Sequence, residues 1–265
     1  MVTAGAHGPM GINPISLAWL AELQAEHGIF DGAAVAELGP QDIRAPEALL
    51  RELLRLDDAA RLPTVGEDVY RILGAGSYCA IDRFDDRAAV AMDLNQPYEG
   101  AAAFDVVTNF GTAEHVFNIG EVFRTVHRLT KPGGVMLHSL PALGHIDHGF
   151  WNIHPKAYIS LAHFNGYELL GFWYVPDAFF TGFDIVRGRA KLDVEPFRVA
   201  GTDAFGTHEF SRTAGMRFIR NAIERVNAGY FRNPSFGMVD YCQVALRKVH
   251  DRAFAYPFER HREPG

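Results

Sequence analysis

The stretch FDVVTNFGTAEHV, residues 104–116, decides the fold together with the sequence that follows it. Its first seven residues form an apolar, β-branched run of strand length. The next segment places four apolar residues on one helical face: Ile119, Val122, Phe123 and Val126. The KPGG turn at residues 131–134 should end that helix before a second apolar run, VMLHSL (135–140). These patterns predict a β-α-β unit.

The same alternation extends in both directions from this unit. Further strands are predicted at residues 33–38, 78–82, 89–92, 167–175 and 239–248. Helices are predicted after Asn13-Pro14, over residues 46–56 and from Pro155 onward. Strands that alternate with helices at this spacing predict a mostly parallel sheet with helices on both faces.

The chain should form one domain of 265 residues with two additions. Residues 1–30 form a predicted N-terminal helical extension, and residues 176–238 form an insertion before the last strand that could act as a substrate lid. Parallel sheets bind ligands beyond the carboxyl ends of their strands. We therefore expect the site after residues 38, 82, 93, 110 and 140.

Composition excludes several classes of protein. The chain has 48% hydrophobic and 22% charged residues, which is typical of a folded globular protein. With 32 acidic against 25 basic residues, it lacks the basic patch that a nucleic acid requires. No apolar segment indicates secretion or membrane insertion, and two unpaired cysteines suit a reducing compartment. We expect a cytoplasmic protein.

Three strand ends carry candidate ligand-binding residues. Gly39 follows strand 33–38 and would allow close backbone approach of a ligand, although a plain structural turn stays open. Asp82 can accept hydrogen bonds from both hydroxyls of a ribose, and we favour it over Asp57, which continues a helix. Asp93 and its neighbours suit an adenine, and a capping role is equally open.

Histidines cluster after the strand at residues 135–140. His145, His148 and His154 follow it, while His115 and His138 lie at neighbouring strand ends. Acid–base chemistry fits because imidazole titrates near neutrality, and we name His148 first, then His145 and His115. Purely structural roles stay open. The spacing matches no helical metal motif, so metal binding stays open as the least favoured alternative and we name no metal ligand.

FDVVTNF-(x)3-EHV, the helix after it and LTKPGGVMLHSLP resemble the class I S-adenosylmethionine-dependent methyltransferases over residues 33–175, with residues 239–248 resembling the family's last, antiparallel strand. The resemblance implies a Rossmann-like, seven-stranded sheet. It also implies positions for the cofactor. Glu37, Gly39 and Pro40 would lie at its methionine end, Asp82 at the ribose, Asp93 and Leu94 at the adenine, and Asn109, Phe110 and Gly111 along the sulfonium.

The chain departs from the family in the first turn. Where the family shows E-x-G-x-G-x-G, this sequence has Glu37, Gly39, Gln41 and Ile43. We expect S-adenosylmethionine-dependent methyl transfer to an oxygen or nitrogen of a small molecule, with no nucleic-acid or membrane partner and homo-oligomerisation open. The alternatives are an intramolecular cyclisation with the same cofactor, a binding protein without cofactor and a nicotinamide oxidoreductase, which the missing glycines disfavour.

Overall fold

The computed structural model describes residues 11–144, 148–175 and 240–258, together with the backbone of residues 197–198. In this part of the chain, one sheet contains β1 (Ala34–Leu38), β2 (Ser77–Asp82), β3 (Val90–Ala91), β4 (Phe104–Phe110), β5 (Thr130–Leu143), β6 (Glu168–Val175), β7 (Phe197–Arg198) and β8 (Asp240–Arg247). The strand order is β3-β2-β1-β4-β5-β8-β6-β7. Pairing is parallel from β3 to β5 and antiparallel around β8. The predicted α/β sheet is confirmed, and β7 adds a two-residue edge to the seven predicted strands.

Helices cover both faces of the sheet, as predicted. They are α1 (Pro14–His27), α2 (Glu47–Leu54), α3 (Gly66–Ile72), α4 (Ile119–Leu129) and α5 (Pro155–Asn165). The apolar residues of α1, α2 and α3 pack together in one buried cluster, and those of α4 and α5 pack in a second. Successive strand residues point to opposite faces. Accordingly, Val106 packs in the first cluster and Val107 in the second.

The predicted caps of α1 are confirmed. The Asn13 side chain accepts hydrogen bonds from the backbone N–H groups of Ile15 and Ser16, at 3.0 and 2.9 Å. Pro14 occupies the first helical position, where a missing N–H costs nothing. Gly28 ends the helix in the left-handed conformation, with φ of +58°.

The KPGG segment corrects one prediction. Helix α4 does end at Leu129, but residues 131–134 continue directly into β5 rather than forming a separate turn. The register slips here, because Phe104 pairs with Thr130 whereas Val106 pairs with Val135. The extra residues form a bulge that stays bonded to the neighbouring strand, since the N–H of Gly133 donates to Lys248 O at 2.6 Å.

The sequence analysis missed one helix, and one of its predicted segments lies mostly outside the described residues. Helix α3 was not predicted, because its seven residues form barely two turns and depend on the burial of Val69 and Tyr70. The insertion proposed as a lid, residues 176–238, lies outside the described residues except for β7. Its role stays a prediction, as does the division of the chain into one domain with two additions.

Within the described residues, no helix combines the length and apolar character needed to cross a bilayer.

Candidate functional site

A cavity of about 350 Å³ opens at the carboxyl ends of the parallel strands, where the sequence places the site. Three turns form its walls. The residues lining it are Gly39, Pro40 and Gln41 after β1; Asp82, Arg83, Phe84, Asp85, Met92, Asp93, Leu94 and Asn95 around β2 and β3; and Gly111, Thr112, His115 and Val116 after β4. Six of the nine predicted cofactor residues are therefore brought together: Gly39, Pro40, Asp82, Asp93, Leu94 and Gly111.

Gly39 brings the turn after β1 close to the turn after β4. Its φ of +74° lies in the left-handed region, and its N–H donates to Ile81 O at 2.9 Å. A Cβ at this position would lie 2.7 Å from Thr112 Oγ1, which itself donates to Leu38 O at 2.6 Å. Glycine is therefore required both by the backbone conformation and by the close approach of Thr112.

Glu37 does not line the cavity. Its carboxyl is fully buried and accepts hydrogen bonds from the hydroxyls of Tyr70 and Tyr78, at 2.7 and 2.6 Å, and from the N–H of Gln41 at 3.1 Å. Burial raises the pKa of Glu37 to about 7, against the lowering effect of these hydrogen bonds. Glu37 therefore stabilises the turn that contains Gly39 without facing the cavity itself.

Asp82 presents one oxygen to the turn and the other to the cavity. Its Oδ1 accepts hydrogen bonds from the N–H groups of Phe84 and Asp85, at 2.7 and 3.0 Å. Its Oδ2 lies 3.6 Å from the position of a Cβ on Gly39, at the cavity wall. The carboxylate therefore combines the capping role with an oxygen placed for a ligand.

Asp93, another acidic residue of the cavity wall, is held by contacts with Asn95 and Arg83. Asp93 Oδ1 accepts hydrogen bonds from the backbone N–H and side-chain amide of Asn95, at 3.0 and 3.1 Å, and Oδ2 pairs with Arg83. The backbone bond from Asn95 lowers the pKa of Asp93 below its usual range. Next to it, Leu94 is buried and gives the cavity an apolar surface.

Asn109 and Phe110 lie behind the cavity wall. The side-chain amide of Asn109 contacts His138 Nδ1 at 3.2 Å, and its oxygen accepts from Ala113 N at 3.1 Å. Phe110 packs in the core, with Trp19 at a ring-centroid distance of 6.1 Å. Both residues therefore support the turn after β4 without facing the cavity.

The cavity ends at a cluster of three side chains beside the turn after β4: Glu114, His115 and His148. His115 lines the cavity, and its ring lies edge-on to that of His148 with a centroid distance of 4.4 Å. Burial lowers the pKa of His115, and His148 adds to this effect. Glu114 is fully buried, and desolvation raises its pKa to about 8. His145 lies outside the described residues.

Two other histidines have the structural roles that the sequence left open. His138 is buried in β5, and desolvation lowers its pKa to about 3. His154 caps α5, since its Nδ1 accepts a hydrogen bond from Lys156 N at 3.1 Å. Neither lines the cavity formed by the described residues.

Sequence reasoning missed other residues of the site. Gln41, Thr112 and Phe84 line the cavity, and Phe84 is 85% exposed with the Arg83 guanidinium 5.3 Å from its ring centre. Their position directly after strand ends was the available signal. Glu114 was quoted in the E-H-V pattern without being given a role.

Comparisons with known proteins find similarity to methyltransferases. Residues 43–171 match the family model described as a methyltransferase domain. This match makes just under half of the chain similar to a methyltransferase domain. A curated relative, the ubiquinone biosynthesis O-methyltransferase of Caulobacter vibrioides, is 36% identical over 139 residues. That match covers 50% of this chain and 54% of the relative, so the chain spans about half the length of the curated relative it matches.

Two solved structures are similar at low identity. One is the 1,6-didemethyltoxoflavin-N1-methyltransferase of Burkholderia thailandensis, with 14% identity, a TM-score of 0.44 and coverage of 89% of this chain and 79% of that one. The other is a SAM-dependent methyltransferase from Archaeoglobus fulgidus, with 16% identity, a TM-score of 0.42 and coverage of 86% and 93%.

Proposed function

We propose that the chain is a class I S-adenosylmethionine-dependent methyltransferase, which binds its cofactor in the cavity and transfers the methyl group to an oxygen or nitrogen of a small-molecule acceptor. One observation carries the proposal. Because Gly39 has no side chain, its backbone lies close to Thr112, and Asp82 Oδ2 lies beside it at the cavity wall. Backbone that approaches this closely at the carboxyl ends of parallel strands is typical of nucleotide-type cofactor sites.

The residues of the cavity fit the cofactor. Its volume of about 350 Å³ lies in the range of about 300–1,000 Å³ that small-molecule sites occupy. Asp82 Oδ2 would accept hydrogen bonds from the ribose hydroxyls, and Leu94 and Asp93 would contact the adenine. Gly39, Pro40 and Gly111 would border the methionine portion, while Glu37, Asn109 and Phe110 would hold these turns from behind.

The chain's own residues align the acceptor and receive its proton. When bound, the cofactor supplies a methyl group already activated on a sulfonium, so alignment at about 3 Å and exclusion of water are the main requirements. An acceptor hydroxyl or ammonium must also lose a proton. We infer that it leaves at the His115 end of the cavity, with His148 as the base, and His115 and His145 as the other candidates. Partial burial lowers the pKa of His115, which favours the neutral form that can accept a proton.

The partner is a small acceptor rather than a macromolecule. The name of the curated relative favours oxygen over nitrogen as the methylated atom. Among the described residues that line the cavity, acidic, apolar and uncharged polar side chains predominate, and Arg83, the one arginine among them, is paired with Asp93. This composition does not suit a nucleic-acid backbone. Both Cys79 and Cys242 are free thiols, which fits the predicted cytoplasmic location.

The test is thermal unfolding of the full chain with S-adenosylhomocysteine and, separately, with NAD. A ligand at 100 times its Kd stabilises a protein by about 2.7 kcal/mol. We expect S-adenosylhomocysteine to raise Tm and NAD to have no effect. A shift by NAD alone would indicate an oxidoreductase, and no shift by either would indicate a binding protein without cofactor.

A matched pair of glycine variants locates the binding. Gly39 and Gly32 have similar positive φ angles, +74° and +67°, so Gly39→Ala and Gly32→Ala carry similar backbone strain. Only the Cβ at position 39 would meet the cavity wall, because nothing lies within 4 Å of one at position 32. Gly39→Ala should therefore abolish the Tm shift and Gly32→Ala should retain it. Equal loss in both variants would contradict the proposed cavity.

A further inference from the structure

Glu114, His115 and His148 bring three potential metal ligands together at one end of the cavity. A carboxylate oxygen and one nitrogen of each imidazole all lie within 4.8 Å of one another. Donor atoms bound to one tetrahedral ion at about 2.0–2.2 Å lie about 3.3–3.6 Å apart. Side-chain shifts of up to about 1 Å bring the three donor atoms to that separation.

The carboxyl of Glu114 has no other partner in the described part of the chain. Both oxygens are buried, and neither makes a hydrogen bond to any described residue. An isolated carboxylate is costly to bury unless it is paired with a cation or protonated. The raised pKa of Glu114 reflects the same cost. A bound cation would supply the missing partner.

Local structure fixes the position of the cluster. Glu114 and His115 lie in a short 3-10 helix, Ala113–His115, directly after β4. The segment after His148 is fastened to it, because Phe150 N donates to Glu114 O at 2.6 Å and Trp151 Nε1 donates to Val116 O at 3.1 Å. These two hydrogen bonds therefore hold the segment that follows His148 beside Glu114 and His115.

We propose that Glu114, His115 and His148 bind one divalent transition-metal ion, such as Zn²⁺, Mn²⁺, Fe²⁺ or Co²⁺. Two imidazoles with one carboxylate are a ligand set of such ions, whereas Mg²⁺ and Ca²⁺ prefer oxygen ligands alone. Three protein ligands leave coordination positions open, as in catalytic sites. His115 lines the cavity, so these positions face the space where the acceptor binds.

The role of the ion rests on the proposed function, whereas its binding does not. An acceptor hydroxyl bound to the ion has a lowered pKa and loses its proton to water. The oxygen lone pair then forms the new O–C bond while the C–S bond of the cofactor breaks and its electron pair returns to sulfur. In the metal-bound protein, the two imidazoles serve as ligands, and the ion takes over the task of activating the acceptor.

The test is a titration of the chelator-treated full chain with Co²⁺, followed by visible absorption, and with Zn²⁺, followed by calorimetry. We expect one ion per chain, bound at least about tenfold more weakly by Glu114→Gln and by His148→Ala. His163→Ala, at an exposed position on α5, is the matched control and should bind like the original chain. Binding of S-adenosylhomocysteine is measured on each variant to show that the cavity is intact.

Two results would overturn the metal site: no ion bound above background at pH 7.5, or equal affinity in the original chain and both ligand variants. If either occurred while S-adenosylhomocysteine still bound, the proposed function would stand and the metal site alone would fail. Metal binding without any binding of S-adenosylhomocysteine would leave the metal site standing and contradict the proposed function.

Discussion

The turns after β1 and after β4 each bury a glutamate, and the two glutamates have opposite surroundings. Glu37 and Glu114 are both fully buried, with pKa values raised to about 7 and about 8 by desolvation. Glu37 accepts three hydrogen bonds, from Tyr70, Tyr78 and Gln41. Neither oxygen of Glu114 has a hydrogen-bond partner in the described residues. The first carboxyl therefore stabilises a turn, whereas the second lies beside two histidines at the proposed site of chemistry.

The largest expected effect tests whether the histidines beside Glu114 take part in the reaction. His148→Ala should lower kcat by about 10²–10⁴-fold, whether His148 acts as the base or as a metal ligand, and should leave cofactor affinity within a few fold. Steady-state kinetics and calorimetry on the purified variant measure the two quantities. An unchanged kcat at saturating acceptor, or a collapse of cofactor affinity, would show that His148 beside Glu114 is structural too.

The next effect concerns cofactor binding beside the first turn. Asp82→Ala should weaken binding of S-adenosylhomocysteine by about 1.5–3 kcal/mol, because a charge-assisted hydrogen bond to the ribose is lost. Asp57→Ala is the control, since Asp57 caps an exposed turn by accepting from Ala59 N at 3.0 Å. Calorimetric titration of both variants decides the matter, and the reverse order of effects would remove Asp82 from the site.

A stability comparison addresses the two carboxyls directly. At pH 6 and without metal, Glu37→Leu should lower the free energy of unfolding by at least about 2 kcal/mol, because it leaves three donors without an acceptor. Glu114→Leu should be neutral or stabilising, since it removes a buried carboxyl that has no partner in the described residues. Urea unfolding of both variants provides the values. Equal destabilisation would erase the contrast.

A last comparison is the pH dependence of the Glu37 contribution. Because the pKa of Glu37 is raised from 4.5 to about 7, the folded chain keeps a proton that the unfolded chain releases in this window. Stability conferred by Glu37 is therefore fully present below pH 4.5 and falls as pH rises toward 7. The difference in unfolding free energy between the original chain and Glu37→Leu should decrease by up to about 1.4 kcal/mol per pH unit. A difference that is constant or rises between pH 5 and 7 would contradict this assignment.

The sequence predicted the sheet well because its signals are local. β4 begins and ends as predicted, at Phe104 and Phe110, since an apolar β-branched run specifies a buried strand without help from distant residues. The rule that parallel strands end at one edge was also enough to gather Gly39, Asp82 and Gly111 around one cavity.

The roles of the buried carboxyls could not be predicted in the same way. Tyr70 and Tyr78 reach Glu37 from 33 and 41 residues away, and Tyr70 belongs to α3, a helix too short to show a pattern. His148 likewise meets His115 only through tertiary contacts. Spacing along the chain therefore favoured no metal site, although the folded chain groups three potential ligands.

A crystal structure of the full chain with S-adenosylhomocysteine tests the central claim most directly. We predict that the ribose hydroxyls lie within hydrogen-bond distance of Asp82 Oδ2, with the adenine against Leu94. The sulfur should lie nearer to His115, in the turn after β4, than to the buried carboxyl of Glu37. Ligand bound outside this cavity, or with its sulfur turned away from His115, would contradict the account.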